Sequence, residues 1–88
     1  MSQFAMPMTE EVEQVVTKGI FDGMDRLLRF EGRASAAWLV QVVTESCSND
    51  LEMEVAPGYV VGLVWELIDK DVLRISIRGD LIYGPAAH

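Results

Sequence analysis

Arg26, Arg29 and Arg33 form the only basic cluster in the chain, and such a cluster can hold a phosphate or an acidic partner. Asp22 precedes Arg26 by four residues and Asp25 precedes Arg29 by four. That is the spacing of intrahelical ion pairs, so the simpler expectation is a solvated, internally paired helix face. Arg74 and Arg78 alternate with Leu73, Ile75 and Ile77, which places them on the outward side of a strand. There they can touch a nucleic-acid backbone, or serve as edge charges that discourage aggregation. Ser46-Cys47-Ser48 offers two nucleophile types, hydroxyl and thiol, but a nucleophile needs a positioned base, and His88, the last residue, is the only histidine. Cys/His metal ligands are missing, and no Gly-rich phosphate loop is present. Glu52 and Glu54 lie two apart, yet acid/base work needs carboxylates in different environments. Arg78-Gly79-Asp80 spells a cell-adhesion tripeptide, and it reads better as a turn with Gly where positive φ is needed. The expectation is a protein that is not an enzyme and has no cofactor, metal or small-molecule substrate.

The chain has 88 residues, half of them hydrophobic, so one small domain with a real core is affordable. Fourteen acids against seven bases give a net charge of −7, which argues against broad affinity for nucleic acid. The longest apolar run, around Val60 to Trp65, is interrupted by Gly62 and closed by Glu66, far short of the ~20 residues that span a bilayer. The opening MSQFAMPMTE lacks the charged start and sustained apolar stretch of a secretory signal. The single cysteine, Cys47, fits a reducing compartment. Together these point to a cytoplasmic protein without a membrane partner.

The elements that would position these residues follow from the hydrophobic period. Residues 1–8 read as a flexible tail carrying Phe4, Met6 and Met8. Thr9 is the N-cap candidate of a first helix, with Glu10, Glu11 and Glu13 where the helix dipole favours anions. Val12, Val16, Ile20, Met24, Leu27 and Leu28 form its apolar stripe, and Phe30 and Gly32 end it. Gly19 and Gly23 lie four apart on one face, a shallow strip where another helix can approach, and Phe21 falls beside the main stripe. A second helix is expected from Ser35 to about Ser46, with Trp38, Leu39, Val42 and Val43 inward. Leu51, Met53 and Val55 alternate with Glu52 and Glu54, the pattern of a short strand. A third helix should run from Pro57 to Asp69, with Pro57 in its first turn and Val60, Val64 and Leu67 buried. Leu73, Ile75 and Ile77 then alternate as a core-facing strand, Gly79-Asp80 turns, and Leu81-Ile82-Tyr83 returns. Residues 86–88 form a short C-terminal tail.

Three helices, the last leading into the hairpin LRISIRGDLIYGP, resemble the winged-helix group of helix-turn-helix domains over residues 9–85. The resemblance implies an α+β fold, a small domain of three helices with a C-terminal β-hairpin. It also implies a candidate DNA face on the third helix, where a DNA binder offers polar and basic side chains. Here the outward side carries Tyr59, Gly62, Glu66 and Asp69, and Asn, Gln, Arg and Lys are absent from residues 57–69. The connection before it, taken as about ten residues, is acidic too, with Glu45, Asp50, Glu52 and Glu54. It can be a solvated edge, a surface for a basic partner or an imitation of nucleic-acid charge. The leading expectation is therefore an interaction module that docks on a protein partner, a second copy included, through Phe4, Met6, Met8, Gly19, Phe21, Gly23, Tyr59 and Glu66. A DNA-binding regulator that contacts backbone through Arg26, Arg29, Arg33, Arg74 and Arg78 ranks second.

Overall fold

The computed structural model describes residues 10–87. Three helices and a three-stranded antiparallel sheet follow in the order α1 (Glu10–Phe30), β1 (Ala34–Ser35), α2 (Ala36–Leu51), α3 (Pro57–Asp69), β2 (Leu73–Ile75) and β3 (Asp80–Tyr83). The sheet order is β1-β3-β2, with Ala34 opposite Leu81 and Ile75 opposite Leu81 from the other side. The result is a small α+β domain, and its arrangement is compatible with a winged helix. Among the described residues no helix is long and apolar enough to cross a membrane.

α1 is amphipathic as its spacing dictates. Val12, Val16, Ile20, Gly23, Met24 and Leu27 are buried, and three glutamates occupy the first turn. Thr9 lies outside the described residues, as do Phe4, Met6, Met8 and His88. Gly19 and Gly23 admit a helix at close range, and that helix is the chain's own α2. A Cβ at Gly23 would stand 2.8 Å from Leu39 Cδ1, and one at Gly19 would stand 2.8 Å from Cys47 Sγ. The chain's own α2 therefore packs against the strip expected to receive another helix, and both glycines also line the groove left beside it.

α2 begins at the expected cap. Ser35 is extended, and its Oγ accepts a long 3.5 Å bond from the Trp38 N–H. The helix runs five residues past Ser46 because Leu39, Val43, Cys47 and Leu51 keep one stripe at intervals of four. This burial outweighs the turn preference of Ser46-Cys47-Ser48-Asn49-Asp50. Glu52, at φ 52, closes the helix in the left-handed region, and its N–H and that of Met53 reach Asn49 O and Ser48 O. The strand expected over residues 51–55 does not form. Val55 is buried alone, with its N–H donated to Ser48 Oγ at 3.0 Å, and no second strand lies beside the segment. The link between α2 and α3 is residues 52–56, half the length expected from sequence.

Two further differences concern the hairpin. β1 has only two residues and no readable period. It exists because β3 pairs with it, and Ala34 is completely buried there. The hairpin loop is residues 77–79, closed by Gly79 N–H to Ser76 O at 2.9 Å and Ser76 N–H to Asp80 O at 2.8 Å. Gly79 takes φ 84, as a three-residue hairpin loop ending in a left-handed residue requires. The turn therefore starts before Gly79-Asp80, and Ile77 sits at its tip, fully exposed, instead of in the core. Ile75 and Trp38, also expected inside, are exposed as well. The core holds Val12, Val16, Ile20, Met24, Leu27, Leu39, Val43, Val60, Val64 and Leu73 on their expected faces, joined by Ala34, Cys47, Val55, Leu63 and Leu81. Val42 and Leu67 are half-buried at its margin.

Candidate functional site

α3 is apolar on nearly every side. Seven of the nine residues from Val60 to Ile68 are hydrophobic, and one small core cannot cover them all. Val60, Leu63 and Val64 go inward. Val61 and Trp65 remain exposed, Trp65 at 53%. They meet Ala37 and Val40 of α2 and Ile75 of β2 around an apolar groove of about 380 Å³, with Ile68 at its floor. Among the described residues no charged side chain lines it. Its chemistry is burial of apolar surface, at about 25 cal/mol per Å² removed from water, and tryptophan is a frequent anchor of such surfaces. The tip residue Ile77, two positions beyond Ile75, is fully exposed. Glu66 and Asp69 stand exposed on the solvent side of α3.

A second groove, of about 340 Å³, runs between α1 and α2. Lys18, Asp22, Arg26, Ser46 and Asp50 edge it, and Lys18 Nζ lies 3.5 Å from Asp22 Oδ2. Both of those side chains are solvated, so the pair contributes little. Cys47 beneath is buried, and its Sγ faces Val15 O at 3.8 Å. Burial, and then the Asp50 charge, raise its pKa, which favours the thiol over the reactive thiolate. Ser48 is occupied by the Val55 N–H. The Ser-Cys-Ser run thus closes a helix, and among the described residues no group of three His, Cys, Asp or Glu side chains is placed to hold a metal ion.

The arginines do not make the expected pairs. Asp22 turns to Lys18, and Asp25 accepts a 2.6 Å hydrogen bond from Tyr83 Oη, so Arg26 and Arg29 have no ion pair among the described residues. Arg33 Nη2 lies 3.0 Å from Asp80 Oδ1, tying the connection between α1 and β1 to β3. That contact is Coulombic, since the oxygen accepts no well-aligned hydrogen bond. Arg74 and Arg78 are exposed on the hairpin. Tyr59 is half-buried at the start of α3, and burial, with Glu13 and Glu66 nearby, raises its pKa. Phe21 is half-buried beside Tyr83 and Val72 in an open hollow of about 660 Å³. Of the described residues singled out from sequence, Gly19, Gly23 and Arg26 line the α1–α2 groove, while Phe21, Tyr59, Arg74 and Arg78 lie outside it; the structure also brings together Val61, Trp65 and Ile75. The two-sided hydrophobicity of α3 was the signal for that face.

Tyr83 gives a pH prediction. Burial, the hydrogen bond to Asp25 and the charges of Asp25 and Asp22 push its pKa from 10.0 up to about 12. A raised pKa means that the fold favours the neutral phenol. Its stabilisation is complete below pH 10.0 and is lost as pH rises from there toward about 12. Thermal melts across that window should show the native chain losing stability faster than Tyr83→Phe. Parallel curves would mean that the Asp25 contact is absent in solution.

Compared with protein-family models, curated proteins and solved structures, the chain matches none. Its function is therefore argued from the geometry above.

Proposed function

We propose that the chain is a non-enzymatic, winged-helix-like interaction module of the cytoplasm that docks on a protein partner and acts as a regulator or inhibitor of a larger complex. The observation that carries this reading is the apolar groove beside exposed Trp65, which flanks the outward face of α3 where a DNA-binding winged helix presents polar and basic groups. The outward residues of α3 add two carboxylates and no cation, and the whole chain carries −7. Phosphates approaching α3 meet repulsion and a surface that offers base edges no Asn, Gln, Arg or Lys. Desolvating the groove against apolar side chains of a protein is the favourable alternative.

A DNA-binding regulator remains the second reading, because Arg26, Arg29, Arg74 and Arg78 are exposed and make no ion pair among the described residues. Mobility shift on random and genomic duplexes at ~150 mM salt separates the two, since specific DNA binders hold their sites at about 10⁻⁸–10⁻¹¹ M near that ionic strength. We expect no shift at micromolar protein and no retention on heparin beyond low salt. Submicromolar, sequence-dependent binding would make the regulator reading the better one. The positive test is capture of a protein partner by the native chain and its loss with Val61→Asp, a substitution of an exposed side chain in the groove.

A further inference from the structure

We infer that the occupant of the α2–α3–hairpin groove is the hairpin tip of a second copy of this chain, in a two-fold dimer. The inference rests on the protein-docking reading of that face. Ile77 is fully exposed at the end of a short, hydrogen-bonded turn, an apolar knob held out from the domain. The groove is an apolar hole of about 380 Å³, with Ile75 in its wall. Ile77 follows the wall residue Ile75 by two positions, at most ~7 Å along an extended chain, so the knob stands close to the rim of the hole.

That adjacency selects the symmetry. A knob on one side of a molecule and a hole on the other give a head-to-tail contact, which propagates into rings or filaments. A knob beside its own hole allows two copies to face each other about a two-fold axis, each Ile77 entering the partner copy's groove, and the assembly closes at two. The same operation buries Trp65, Val61 and Ile75 of both copies, the exposed apolar side chains that the monomer leaves around the groove. Helical period puts Glu66 and Asp69 on the flank of α3 next to Trp65, and Arg78 adjoins Ile77 on the tip. Docking the tip into the groove brings the Arg78 of each copy to the Glu66–Asp69 flank of the other. The face thus carries both charge signs in the places where the two-fold pairs them. Duplex DNA and a uniformly basic partner would each leave one of these charges facing its like.

The test is sedimentation of the full chain from micromolar to millimolar concentration, with three variants. Ile77→Asp should weaken dimerisation by at least about 30-fold, the loss typical of a central anchor. Its thermal midpoint at high dilution should not change, because Ile77 is fully exposed in the monomer. Arg78→Glu should weaken the dimer, and adding Glu66→Arg in the same chain should restore it. A wild-type chain that stays monomeric at millimolar concentration, or a dimer indifferent to Ile77→Asp, overturns the proposal. A monomer that ignores duplex DNA and captures a protein through Val61 would leave the docking reading standing and replace its occupant. Tight duplex binding that Ile77→Asp abolishes would remove both.

Discussion

Replacing Leu39 by Ala is expected to lower stability by about 3–5 kcal/mol, the upper part of the range for buried leucines. Leu39 has no exposed surface, and its Cδ1 occupies the notch that Gly23 leaves on α1. The α1–α2 seam is built from this fit: two glycines on one helix, and Leu39, Val43 and Cys47 on the other. The backbones are already close, so neither helix can move inward to fill the void, and the cavity cost adds to the lost transfer energy. A small domain holds only about 5–15 kcal/mol in total, so the variant should be partly unfolded near physiological temperature. Urea titration followed by circular dichroism reads the shift in midpoint. An unchanged midpoint would place Leu39 outside the core. Leu67→Ala, by contrast, should cost less than Leu39→Ala, because Leu67 is half-buried at the margin.

Gly84→Val should rank beside it for a different reason. A side chain at Gly84 would land on the backbone carbonyl of Asp71, with that carbon only 2.8 Å from the new Cβ. The tip of a leucine can swing aside, as at Gly23, but a carbonyl in a turn cannot. Gly84 N–H donates to Val72 O at 2.8 Å and Ala86 N–H donates to Asp71 O at 2.9 Å. The chain end therefore clamps the turn from α3 into β2, where Asp71 is held at φ 61. Forcing this clamp open should cost about 2–3 kcal/mol, the usual size of overpacking with backbone displacement. For a domain of this length the thermal midpoint should fall by about 8 °C or more. A variant that melts within about 2 °C of the native chain, less than the shift from 1 kcal/mol, would show the clamp to be absent.

The clamp also holds the turn between α3 and β2, two of the elements that line the groove proposed as the docking face. Neither Trp65 nor Ile75 does chemistry alone. What the face offers is an apolar area held in one shape, which lowers the ordering cost of binding.

Much of the architecture was legible without coordinates. Pro57 and the Val60–Val64 spacing mark α3 from Pro57 to Asp69, and the Glu10–Glu13 acids and four-residue intervals mark α1. Those signals are local: a dipole, a proline ring and a 3.6-residue period act within one segment. The acid-only flank of α3 is likewise a property of one helix. Tertiary structure decided the rest, because burial belongs to two surfaces at once. Leu73, Ile75 and Ile77 share an alternation, but only Leu73 is covered; the loop closes at Ser76, beyond which no partner strand exists for Ile77. Leu51, Met53 and Val55 alternate equally well, yet a strand needs a neighbour to take its hydrogen bonds, and α2 extends into the segment instead. Ala34 and Ser35 have no pattern, and they form a strand because β3 is there to pair with them. The groove belongs to this second class. Val61 and Trp65 read as core by type, and only the placement of α2 and β2 around α3 leaves them without cover.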